Sequence, residues 1–215
     1  SLNLETGAVE MVAEQKVDGV RFNDGKCDPQ GRFWAGTMAY DSTEGAGSLY
    51  LIDADFSVRT MIESVSISNG LVWTSDRQTF YYIDSPTHQV QAFDYDDVTG
   101  DISNHRIAIE IDGEEYGAPD GMTIDSDDNI WVAMWGGGSV THWNPQTSEL
   151  LGQIEVPGAK QVTSCALGGP ELNELYITTA SIDLDEEALQ EQVNAGILFK
   201  TEVDAKGVSP FTFRG

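Results

Sequence analysis

Basic residues are scarce in this chain: Lys and Arg number 11 against 36 Asp and Glu, a formal net charge of −25 over 215 residues. A field of that sign repels phosphate backbones and anionic headgroups, so neither a nucleic-acid partner nor a membrane partner is expected. The excess reads as a solvated acidic surface. Cysteine is as sparse. Cys27 and Cys165 stand far apart and form no C-x-x-C pattern, which argues against a disulfide framework and a cysteine zinc site. They read as two buried thiols in a reducing compartment, and a cytoplasmic location is expected. No apolar run approaches the roughly 18 residues of a membrane span. The opening Ser1-Leu-Asn-Leu-Glu-Thr-Gly7 has neither the basic nor the apolar region of a signal peptide. Familiar catalytic signatures are missing too. There is no G-x-S-x-G elbow, Gly136-Gly-Gly138 lacks the Lys-Ser/Thr of a phosphate loop, and His88, His105 and His142 have no H-E-x-x-H spacing. His88 and His105 are expected to be exposed, His142 to lie on a strand face. Asp125-Ser-Asp-Asp-Asn129 lacks the central Gly and final Glu of a calcium loop and reads as a hairpin turn.

What the chain does have is a repeat. Four segments begin at Asn23, Asn69, Asp120 and Ser164, each a polar start, a short apolar stretch, a polar turn and an aromatic-rich strand. Their starts lie roughly 45 to 50 residues apart, the period of a four-stranded propeller blade. Paired strands are expected in the second half of each unit, as in Gly47–Asp53 with Val58–Ile62, and Val90–Tyr95 with Ile102–Ile109. Thr99-Gly100, Asp112-Gly113 and Gly136–Gly138 supply turn chemistry. Asp185–Gln192 reads as a short surface helix. The fold expected is all-β, one β-propeller domain over residues 1–215. It has about four blades and, from Ser1 to Glu14, an outer half-blade of a preceding unit, so upstream blades are expected to be absent. Two blade faces left unpaired predict self-association or partial closure. Stacked blades bury their faces against each other and bring the starts of the innermost strands to one mouth of a central channel. Asn23, Asn69, Asp120 and Ser164 should therefore meet. Trp34, Trp73, Trp131 and Trp143 are expected to fill the layers between blades.

Six runs carry a family likeness: Arg21-Phe-Asn-Asp-Gly-Lys26, Ala35-Gly-Thr-Met38, Ile67-Ser-Asn-Gly-Leu71, Phe80-Tyr-Tyr-Ile-Asp84, Pro119-Asp-Gly-Met122 and Ala195-Gly-Ile-Leu-Phe-Lys200. In order and spacing they resemble the SMP-30/gluconolactonase/regucalcin-like family. The resemblance implies the six-bladed propeller type, one divalent cation (Ca, Zn, Mn or Mg) at the channel mouth, and hydrolysis of sugar lactones such as gluconolactone. It makes Asn69 and Asp120 metal ligands and Arg21 and Asn23 substrate-binding residues; the chemistry of lactone opening, which needs water delivered to a carbonyl, makes Asp120 the expected catalytic base as well. The family's first-blade Glu ligand has no counterpart here. Taken alone, Asn69-Gly70 and Asp120-Gly121 are equally good turn sequences. Glu44, in the loop from Tyr40 to Gly47, lies where relatives carry a lid, but that loop differs. The alternatives are a calcium- or sugar-binding propeller without turnover, and a hydrolase of other lactones or organophosphates on the same scaffold.

Overall fold

A computed structural model of the protein describes residues 3, 5–11 and 17–215. Four antiparallel sheets follow one another along the chain, each in simple meander order. Blade 1 is β1 (Val20–Cys27), β2 (Phe33–Ala39), β3 (Gly47–Ile52) and β4 (Val58–Val65). Blade 2 is β5 (Ser68–Trp73), β6 (Thr79–Asp84), β7 (Gln89–Tyr95) and β8 (Ile102–Glu110). Blade 3 is β9 (Ala118–Ile124), β10 (Ile130–Trp135), β11 (Ser139–Asn144) and β12 (Glu149–Glu155). Blade 4 has three strands, β13 (Val162–Gly168), β14 (Glu174–Thr179) and β15 (Leu198–Glu202). Each predicted repeat start falls on an innermost strand. These strands pack side by side in the order β1, β5, β9, β13, so the four-blade propeller arrangement is borne out. Of the predicted half-blade, residues 1, 2, 4 and 12–14 lie outside the described residues. Of it, the Thr6-Gly7 turn is seen, with Asn3 N–H donating to the Ala8 carbonyl at 2.9 Å and Gly7 at φ 70°.

Burial runs from the inside outward. The middle strands are almost wholly buried, whereas β4, β8 and β12 are mostly exposed or half-buried. This is the pattern of sheets whose outer strands face water, and it gives the acidic residues somewhere to be solvated. Three apolar clusters lie between successive blades. Trp34 and Trp73 fill the first, Trp143 the second and Trp131 the third, so these four tryptophans do fill the interblade layers.

Several local expectations are refined. Asp125–Asn129 is a hairpin turn, closed by Asp125 N–H to the Asn129 carbonyl at 3.0 Å. Asp112-Gly113 is not a strand turn: the Asp112 carboxylate caps the short helix α1 (Gly113–Tyr116). The surface helix is present as α2 (Glu186–Glu191), capped by Asp185. Cys165 is buried, but Cys27 is only half-buried, and both are free thiols. His105 is exposed; His88 is half-buried beside Gly113. His142 lies on β11, stacked on Trp131 with ring centroids 3.9 Å apart. Beyond β15 the chain returns to blade 1, where Arg214 N–H reaches the Gly31 carbonyl at 3.0 Å and Phe213 packs on Phe56. Among the described residues no helix is long and apolar enough to cross a membrane.

Candidate active site at the channel mouth

All four innermost strands break register at the same level. The slip lies between Phe22 and Gly25 in β1, Asn69 and Leu71 in β5, Pro119 and Met122 in β9, and Val162 and Ser164 in β13. Each of these stretches carries more residues than its partner strand, which is a β-bulge. Bulges re-aim side chains and are frequent beside active sites. The bulged stretches hold Asn23-Asp24, Asn69-Gly70, Asp120-Gly121 and Thr163. The Asn-Gly and Asp-Gly pairs are therefore inside strands, and the turn reading does not apply to them.

Their glycines serve close approach. A Cβ on Gly70 would lie 2.6 Å from Met122 Cγ and 3.0 Å from the Asp120 carbonyl oxygen; one on Gly121 would lie 2.3 Å from Ser164 Oγ and 2.9 Å from the Thr163 carbonyl oxygen. Without side chains there, neighbouring inner strands draw together and the residues beside the glycines meet. Gly121→Ala is expected to destabilise the protein by about 1–3 kcal/mol, the usual cost of overpacking. Gly152→Ala, where a Cβ meets nothing within 4 Å, should be nearly neutral. Thermal melts of the two variants check this.

The resulting cavity, about 720 Å³, is lined by Arg21, Asn23, Asn69, Asp120 and Ser164 together. The predicted convergence is thus observed. Arg21 Nη1 donates to Asn23 Oδ1 at 2.8 Å, and Asn23 Nδ2 donates to Asn69 Oδ1 at 3.0 Å and to the Ser68 carbonyl at 2.8 Å. Asn69 is buried and its Nδ2 donates to Ser85 Oγ at 2.7 Å, which in turn donates to the Pro119 carbonyl at 2.6 Å. This chain of bonds links blades 1, 2 and 3 and fixes the orientation of the Asn69 amide. Arg21 and Asn23 are exposed along the rim.

Three acids line the cavity, Asp24, Asp120 and Asp183, and the first two stand on its inner strands. Burial, reinforced by the neighbouring Asp24 carboxylate, pushes the Asp120 carboxyl up to about 7, against a lowering contribution from the Gly121 N–H. Burial also raises Asp24, opposed by Lys26. A second cavity of about 440 Å³ lies around Trp131, His142 and Glu202 and holds none of the predicted residues. Glu44 is exposed and does not line the channel cavity.

Sequence reasoning passed over Asp24, Ser85, Trp135, Ile182 and Asp183, all of which line the cavity. Asp24 had a signal, since it adjoins Asn23 in a motif already singled out. So did Trp135, the one tryptophan outside the repeat positions. Ile182 and Asp183 come from the long β14–β15 connection, tethered where Gln161 Nε2 donates to the Ile182 carbonyl at 3.1 Å.

With this geometry in view, comparison with known proteins is decisive. The sequence model of the SMP-30/gluconolactonase/LRE-like region matches residues 1–181. The chain belongs to this family. Among SMP-30/gluconolactonase relatives, regucalcin of Danio rerio is 44% identical over 212 residues, covering 97% of this chain and 71% of the relative. The putative sugar lactone lactonase YvrE of Bacillus subtilis (strain 168) is 41% identical over 215 residues, covering 99% and 73%. The crystal structure of a calcium-binding protein, regucalcin, from Agrobacterium tumefaciens str. C58 superposes with a TM-score of 0.93 at 29% identity, covering 99% of this chain and 72% of that one. The family is one of sugar lactone hydrolases, and the propeller fold is shared.

Proposed function

We propose that this chain opens the ring ester of a sugar lactone with the help of a divalent cation. In this reading Asp120 is both cation ligand and general base, Asn69 is the second ligand, and Arg21 and Asn23 bind the substrate. The observation that carries it is the meeting of these four residues, from three blades, in one cavity whose central carboxyl is pushed up to about 7.

The donor set fits a hard cation. Asp120 and Asn69 offer oxygen donors, the preference of Ca²⁺, Mg²⁺ and Mn²⁺, and the raised Asp120 value marks negative charge that nothing nearby neutralises. Among the described residues no group of three His, Cys, Asp or Glu side chains gathers there, so protein ligands would be few and most positions left to water or substrate. When bound, the cation supplies a Lewis acid for the lactone carbonyl.

The remaining chemistry belongs to the side chains. Arg21 donates to ring or hydroxyl oxygens from the rim, and its existing bond to Asn23 holds the pair ready for a sugar. Asp120 takes the proton of the attacking water as the water oxygen bonds to the carbonyl carbon. It returns that proton to the ring oxygen as the ester bond breaks, leaving the open hydroxy acid. A base titrating near neutrality suits both transfers.

The test is hydrolysis of gluconolactone above its spontaneous rate, with added Mn²⁺, Ca²⁺ or Zn²⁺ and then with chelator. Metal-dependent turnover is expected, and Arg21→Ala should raise KM by about 10-fold or more with a smaller change in kcat. Cation binding without turnover on any lactone would replace this reading with that of a binding propeller. Turnover untouched by chelator would remove the cation from it.

A further inference from the structure

Lys26 stands two residues beyond Asp24 on β1, and its Nζ donates to the Met122 carbonyl at 3.0 Å. Met122 stands two residues beyond Asp120 on β9. This bond runs from blade 1 to blade 3, passing over blade 2, and joins the two strands that carry Asp24 and Asp120. The same ammonium interacts electrostatically with Asp24 and, on β13 of blade 4, with the Cys165 thiol. It therefore faces strands of blades 1, 3 and 4 together.

A propeller does not require a charge there. Its neighbours Met122 and Cys165 are buried apolar side chains, and a buried ammonium costs several kcal/mol of desolvation that a methionine of similar length would not. The inner-strand carbonyl offsets only part of that cost, since a hydrogen bond from a charged donor contributes about 1.5–3 kcal/mol net. What repays a cation at this position is the Asp24 carboxylate, two residues back on β1. Asp24 Oδ1 accepts from the Gly25 N–H at 2.7 Å, and in a bulge, where the strand ladder holds the backbone least, the opposite charge two residues away adds to that hold.

We propose that Lys26 is a positioning residue of the lactone site, tying β1 to β9 and holding the Asp24 carboxylate in place against Asp120. This rests on the functional reading above, and it separates Lys26 from the residues that touch substrate or cation.

A double-mutant cycle tests it with the full chain: wild type, Lys26→Met, Asp24→Asn and the double variant, each assayed for gluconolactone hydrolysis with Mn²⁺ and for thermal unfolding without metal. Lys26→Met is expected to lower kcat by about 10- to 100-fold with KM changed less than about threefold, and to cost less than about threefold more when Asp24 is already Asn. The melting temperature should fall in Lys26→Met by about 5 °C or more and recover by at least half in the double variant, because the stranded carboxylate is then gone. Equal losses in both backgrounds, or an unchanged kcat in Lys26→Met, would overturn the proposal. If Lys26→Met does not fold, folding of the double variant supports it and failure of both sinks it. Should the wild type hydrolyse no lactone, the functional reading fails separately. The melting cycle then decides, recovery supporting the Lys26–Asp24 tie and additivity rejecting it.

Discussion

Replacing Asp120 by asparagine is expected to make the metal-free protein more stable at pH 8 while removing its lactone hydrolysis. The sign follows from the titration. Asp120 is pushed up to about 7 in the folded chain from an ordinary 3.8, so the folded state keeps a proton that the unfolded state has lost. Between about pH 4 and pH 7 folding therefore takes up a proton, and stability falls as pH rises through that window. Above about 7 the full cost is present, at most about 4 kcal/mol for three pKa units and nearer 2 if water in the cavity screens the charge. Asparagine has the same shape and no charge. Its variant should melt about 5–10 °C higher at pH 8 in chelator, with the gain shrinking to nothing near pH 4. Adding Mn²⁺ should raise the wild type and leave the variant where it is, since the cation answers the charge that asparagine lacks. Loss of the base should cost about 10²–10⁴-fold in kcat. A variant that melts at or below the wild-type temperature at pH 8 would mean that Asp120 carries no buried, uncompensated charge. The proposed base would then lose its basis.

That trade of stability for chemistry explains why the site was only half legible in the sequence. The repeat was legible because it is a burial pattern: one blade cannot cover both of its faces, so the apolar alternation returns every 45 to 50 residues or so. Convergence of Asn23, Asn69, Asp120 and Ser164 followed from it, as equivalent positions of stacked blades must face one axis. The bulges did not follow. Asn-Gly and Asp-Gly have the same composition in a turn as in a bulged strand, and only the neighbouring strand, pressed against Gly70 and Gly121, distinguishes them. Contacts that skip a blade are also silent in a local pattern. Lys26 and Met122 lie 96 residues apart, and nothing in either segment names the other. Ile182 and Asp183 were hidden for a different reason: they belong to the β14–β15 connection, which departs from the repeat and obeys no period.

The largest loss of stability from a single side chain outside the cavity is expected for Asp28→Ala. Asp28 is fully buried at the β1–β2 turn, where Oδ2 accepts from Arg32 Nε at 2.6 Å, Trp34 Nε1 at 3.1 Å and Tyr95 Oη at 2.8 Å. Its Oδ1 accepts from the Arg32 and Gln30 backbone N–H groups. Blade 3 repeats the device, with Asp125 Oδ2 accepting from Trp131 Nε1 at 3.1 Å and from His142 Nε2 at 3.0 Å. The rule is internal to the chain. Six residues before Trp34 and Trp131 stand Asp28 and Asp125, whereas six before Phe80 and Leu175 stand Thr74 and Gly169. At these two turns the acid satisfies a buried indole N–H, a need that a phenyl ring or an isobutyl group does not have; the indole N–H groups of Trp73 and Trp143, at other strand positions between blades, have no such acceptor among the described residues. Removing Asp28 strands both the Trp34 donor and the Arg32 guanidinium, and breaking a buried pair from one side costs about 3–5 kcal/mol. Asp28→Ala should therefore lower the melting temperature by about 10 °C or more. Asp125→Ala, with no arginine to strand, should cost about half as much. In a Trp131→Phe background, which has no indole N–H, the penalty of Asp125→Ala should shrink further. An Asp28→Ala protein that melts with the wild type would show that these turns are held by their backbone alone, and that the acid-to-tryptophan spacing is coincidence.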